Sequence, residues 1–136
     1  MKTKILLTMS ALVLMGCSVS QDMASTKDEI PKFHAALDAE KFDDIITNAT
    51  ADLNPATNDG TFRKILEAIH KKLGKFKSST PVGWNDNATT GGHFVTIAVK
   101  SIYERGAADE NFVFRLQDKS AKLAGYHINS AAMMIN

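Results

Sequence analysis

The apolar residues of this chain change their spacing once, at Gly74, from a helical period of about 3.6 to an alternation of two. A chain patterned in that order builds helices first and strands afterwards. Phe62, Ile65, Leu66, Ile69 and Leu73 trace one face of a helix that turns basic at Lys71 and Lys72 and closes on Gly74 as a C′ glycine. Upstream, Ile30, Phe33 and Leu37 recur at helical spacing behind Thr26 and Glu29, whose separation fits a capping box, so a first helix is predicted from Thr26 through about Ala39. Pro31 is tolerable there because the earliest amides of a helix lack intrahelical partners. Phe42, Ile45 and Ile46 continue the period, as a second short helix or as the first one bent, ending before Asn48. The stretch from Asn54 to Gly60 is dense in turn-forming residues and reads as a loop.

Beyond Gly74, Phe76, Ser78, Thr80, Val82 and Trp84 alternate with Lys75, Lys77 and Ser79, and Pro81 assigns this strand to a sheet edge or to an irregular strand. Asn85 to Gly92 reads as a polar hairpin loop. Val95, Ile97 and Val99 mark a second strand reaching about Tyr103, Glu104 to Ala107 a turn, and Phe112, Phe114 and Leu116 a third strand. After Asp118-Lys119-Ser120 a fourth runs from Lys122 to Ile128. The predicted fold is therefore α+β, with N-terminal helices packed on one face of a four-stranded antiparallel meander. The other face carries Phe94, Ala98 and Ile102 among Thr96 and Lys100, a mixed surface suited to dimerisation or to docking another protein.

Composition narrows the function classes. In 136 residues, 44% hydrophobic and 23% charged, there is room for one modest core. A formal charge of +1 with no basic block gives no footprint for nucleic acid. The single cysteine excludes an internal disulfide framework and a multi-cysteine metal site.

That cysteine has a particular setting. Lys2 and Lys4 precede an apolar run from Ile5 to Met15, the shape of a signal peptide and too short to span a bilayer. The run ends in Leu14-Met15-Gly16-Cys17, which resembles the lipobox of bacterial lipoproteins. The resemblance implies cleavage ahead of Cys17, lipid on its thiol, and attachment to the cell envelope. Ser18, where an aspartate would imply retention at the inner membrane, implies the periplasmic face of the outer membrane. Removing residues 1–16 takes away two lysines and no acid, which moves the formal charge from +1 to −1. The expected organisation is a signal peptide over 1–16, a lipidated tether over 17–25, a domain over 26–129 and a tail over 130–136.

The element order resembles the cystatin-like and NTF2-like superfamily. Lys71-Lys72-Leu73-Gly74-Lys75 before the first strand and Lys122-Leu123-Ala124-Gly125-Tyr126-His127-Ile128 at the end are similar to small exported bacterial domains of unknown function. Where those domains open the last strand with tryptophan, this chain has Ala121, so a large core contact is absent or comes from elsewhere, from Phe112 or Trp84. The resemblance implies a fold and a compartment and transfers no catalytic residue.

Chemistry is sparse. His34, His70, His93 and His127 form no H-E-x-x-H arrangement, so no metal and no cofactor is expected. NTF2-like enzymes work inside their cone, where the inventory here is Tyr103, Tyr126, His127 and Asp44; alternation puts Tyr126 and His127 on opposite faces. No nucleophile elbow or phosphate loop is present. Trp84, on an edge strand beside a polar segment, is the candidate anchor for an envelope protein partner. The expected role is a protein-binding or assembly module, with a small-molecule binder or weak enzyme rimmed by Tyr103, Tyr126 or His127 as the alternative.

Overall fold

Helices come first and strands second, as the change of period demands. The computed structural model describes residues 17–135, the side chains of 17–20 and 54–55 excepted. It orders them as α1 (Cys17–Asp38), α2 (Phe42–Thr47), a 3-10 turn (Ala51–Leu53), α3 (Asn54–Asn58), α4 (Thr61–Leu73), β1 (Phe76–Thr89), β2 (Gly92–Tyr103), β3 (Gly106–Gln117), β4 (Ser120–Asn129) and α5 (Ala131–Ile135). The strands form one antiparallel sheet in the order β1-β2-β3-β4. The signal-peptide reading of 1–16 and the lipid on the Cys17 side chain lie outside the described residues. No helix among those described is long and apolar enough to cross a membrane.

The core lies between the helices and the sheet. α1 contributes Ile30, Phe33 and Leu37, α4 contributes Phe62, Leu66, Ile69 and Leu73, and the sheet answers with Val95, Ile97, Val99, Phe112 and Phe114. Ile65, expected on the core face of α4, is instead 37% exposed, because the apolar stripe is wider than the strip the sheet covers. Gly74 ends α4 at a φ of +74°, where a β-carbon would strike the Glu104 side chain. The turn between β2 and β3 then closes the helix end: Arg105 Nε donates to the Lys72 carbonyl at 3.0 Å and its backbone N–H to that of Leu73 at 2.9 Å.

Four segments differ from the sequence reading. Residues 17–25, expected as a tether ahead of the domain, are helical: α1 begins at Cys17, and Met23 packs against the core. Thr26 is not a cap but a buried mid-helix residue whose hydroxyl donates back to the carbonyls of Asp22 and Met23. Pro31 consequently sits inside the helix, at the cost of one intrahelical bond. The stretch over 54–60 is not wholly loop, since Asn54–Asn58 is helical. The segment over 85–92 is strand: β1 pairs with β2 as far as Thr89 with Gly92, leaving Thr90 and Gly91 as the turn. The tail over 130–136 includes the short helix α5, whose Ala132 and Met133 pack on the core and whose Met133 carbonyl accepts from Lys72 Nζ.

Register shifts decide which side chains face the helices. In β1 the pairing slips at Lys77 and again at Val82, so Ser78 faces away with Ile102 while Phe76 and Trp84 both share the helix face, opposite Tyr103 and Ile97. In β4 the slip at Ala124 puts Leu123 and Tyr126 on the same face although they are three positions apart. The β3–β4 hairpin turns on Asp118 and Lys119, both left-handed with φ of 47° and 65°. Such a turn favours glycine at its second position. Relief of a left-handed conformation is worth about 1–2 kcal/mol and is partly offset by the greater freedom of glycine in the unfolded chain. Lys119→Gly is expected to stabilise the protein by roughly 0.5 kcal/mol, read as a higher urea midpoint at unchanged slope.

Candidate functional site

Alternation along β3 carries a carboxylate into the core. Ala108, Glu110, Phe112 and Phe114 all face the helices, and Glu110 is 0% exposed. An isolated buried carboxylate is costly unless its lone pairs are met. Here four donors meet them. His34 Nε2 from α1 lies 3.0 Å from Oε2, which also accepts from the Ser101 hydroxyl on β2. Oε1 accepts from Tyr103 on β2 at 2.9 Å and from Tyr126 on β4. The register explains the convergence: Glu110 pairs with Val99 and Ile128, so Ser101 and Tyr126 are its diagonal neighbours.

His34 is placed by packing as well as by hydrogen bonding. Its ring stacks on Phe76 at 3.8 Å between centroids, and the Phe76 backbone N–H donates to Asp38 one turn further along α1. Nε2 is the ring nitrogen turned to the carboxylate, and among the described residues Nδ1 has no hydrogen-bond partner. Around the cluster, Phe33 meets Phe112 at 5.1 Å and Tyr126 at 4.9 Å, so aromatic rings occupy the interior next to the carboxylate.

The electrostatics follow from this geometry. Burial pushes Glu110 up, but the hydrogen bond and charge of His34, with the hydroxyls of Ser101 and Tyr126, outweigh it and hold the carboxyl below its ordinary value of 4.5. Burial, and then the negative charge of Glu110, push Tyr103 and Tyr126 well above the usual tyrosine range. The arrangement is an ionised acceptor locked among permanent donors. A general base must reach a substrate proton, whereas both oxygens of Glu110 are already committed and shielded. Its chemistry is that of a structural anchor.

The sequence-derived candidates separate on this map. Tyr103 and Tyr126 meet at Glu110. His127 is exposed on the opposite face of β4, as alternation required. Asp44 is exposed on α2, at the rim of a cleft of about 330 Å³ between α1, α2 and the β3–β4 hairpin. Trp84 stands apart, 57% exposed on edge strand β1 beside an open groove floored by Ile97 and walled by Met23 and Lys27 of α1. The large contact missing at Ala121 is thus not made by Trp84; Phe112 is fully buried at the centre of the core. His34, Ser101 and Glu110 escaped the sequence reading, although extending the alternation backward from Phe112 puts Glu110 on the buried face.

No protein-family model and no curated protein matches the chain.

Removing the Glu110 charge should be costly. Glu110→Gln is expected to lose on the order of 3 kcal/mol at neutral pH, since hydrogen bonds to a buried charge are being weakened together. Because the folded pKa lies below the unfolded one, the contribution is present above about 4.5 and is lost as pH falls through the folded value. Thermal melts between pH 6 and pH 3 should therefore show the wild type losing stability with acid more steeply than Glu110→Gln; parallel curves would remove Glu110 as the source.

Proposed function

We propose that this is a lipid-anchored cell-envelope protein whose single domain docks another envelope protein through the rim around Trp84. The observation that carries the reading is an edge strand with large apolar side chains in water: Trp84 is 57% and Val82 61% exposed on β1, which has no strand partner on its outer side among the described residues. Tryptophans placed this way are common energetic centres of interfaces, and a free edge adds main-chain hydrogen bonds. The groove beside Trp84 supplies a recess for a partner side chain, with Lys27 at its wall.

The lipobox-like Leu14-Met15-Gly16-Cys17 supports attachment through Cys17 and a place on the periplasmic face of the outer membrane. Two or three acyl chains hold a protein to a bilayer far more firmly than one myristoyl group. The helix-then-meander order supports kinship with cystatin-like and NTF2-like domains. The closed Glu110 cluster turns the reading away from catalysis within the cone.

A second reading, small-molecule binding, is favoured by the cleft rather than by the cone. Phe33, Ile45, Phe114 and Leu123 line it, and Lys32, Lys122, Glu29 and Asp44 stand at its edge, a combination suited to an amphipathic molecule.

Two variants test the first reading. Cys17→Ser should move the protein from the membrane to the soluble fraction and abolish incorporation of labelled fatty acid. Trp84→Ala should leave the unfolding free energy within about 0.5 kcal/mol of wild type. It should also weaken partner binding by about 2 kcal/mol or more, roughly thirtyfold. Native mass spectrometry of protein extracted from its own membranes checks both; a partner retained equally by Trp84→Ala excludes this rim.

A further inference from the structure

Three potential metal ligands from three different elements meet at the far end of α1 from Glu110. His93 opens β2, Asp86 lies on β1 as its diagonal neighbour on the helix face, and Asp22 descends from α1. His93 Nε2 is 2.6 Å from Asp86 Oδ1 and 3.9 Å from Asp22 Oδ2, and the three ligand atoms lie within 4.8 Å of one another. All three residues are partly buried. Ser25 and Thr26 hydroxyls donate to the Asp22 carbonyl and fix that turn of α1.

The charge balance is the second observation. Two carboxylates converge on one imidazole nitrogen, and among the described residues neither carboxylate has a lysine or arginine ion-pair partner. Elsewhere the exposed acids Asp43 and Asp52 are each paired with an arginine. This end of the domain therefore gathers two carboxylates and an imidazole with no lysine or arginine paired to them among the described residues.

We propose that Asp22, Asp86 and His93 form a binding site for a first-row divalent cation of the zinc class. One imidazole and two carboxylates suit such an ion, with water completing the shell. With bonds of about 2.1 Å, tetrahedral donors stand about 3.4 Å apart. The His93–Asp86 pair needs to open, and the His93–Asp22 pair to close, by less than about 1 Å each, within the reach of side-chain torsions. A cation there staples the first half of α1 to the β1–β2 hairpin.

The test is calorimetric titration of chelator-treated full-length protein in detergent with Zn²⁺, every sample carrying Cys17→Ala so that a thiol does not compete. One ion per chain and a higher melting temperature are expected. His93→Ala and Asp86→Asn should each weaken binding by on the order of tenfold or more, since loss of even an outer-shell partner costs that much. His127→Ala, on the opposite face, should bind as the parent does. Zn²⁺ should also shift the His93 ring resonances and leave those of buried His34 in place, a readout independent of any variant's folding. Absence of saturable binding, or full affinity in a folded His93→Ala protein, would overturn the proposal and leave the cluster as an ion pair.

Discussion

The ionised Glu110 carboxylate holds α1, β2, β3 and β4 to one another because its four donors come from three of those elements and it belongs to the fourth. A hydrophobic core tolerates sliding; a carboxylate with four directed donors does not. Apolar contacts are non-directional, whereas the rotation of α1 seen here brings His34 Nε2 to Oε2 while Phe76 lies flat against the ring. Desolvation opposes the arrangement, and removing a single donor leaves a buried charge short of a partner. The cluster therefore selects one packing among those that hydrophobicity alone permits.

What could be read in the sequence was what local pattern governs. The boundaries of α2, the span of α4 with its closing glycine, and the strand reaching Tyr103 follow from periodicity and from Gly74. Where tertiary contacts prevail, the pattern misled. Thr26 and Glu29 have the spacing of a cap, but Met23 finds core to pack on one turn earlier, which rewards continuing the helix through polar residues. Asn85, Asp86 and Asn87 have turn composition, yet pairing with β2 keeps them extended and leaves the reversal to Thr90 and Gly91.

The candidate site divides in the same way. Tyr103 and Tyr126 were legible as candidates because the resemblance to NTF2-like domains singled out polar side chains able to face the cone. Their acceptor was not, because a glutamate flanked by Asp109 and Asn111 reads as surface until the phase of the strand is extended to it. The bulge at Ala124 hid Tyr126 further: strict alternation from Leu123 would have turned that ring to solvent. The metal-ligand group was invisible for a different reason, since its members lie on three elements and no spacing along the chain brings them together.

The two slips of pairing in β1 bear on how this domain avoids its own kind. A long strand exposed at a sheet edge is an invitation to endless stacking of identical molecules. Here the kinks at Lys77 and Val82, with Pro81 offering no amide proton, interrupt the ladder that a regular strand from a sister copy would have to follow. At high local concentration such domains can lie side by side without zipping into fibrils, and the edge stays open to a chain whose own register matches these slips.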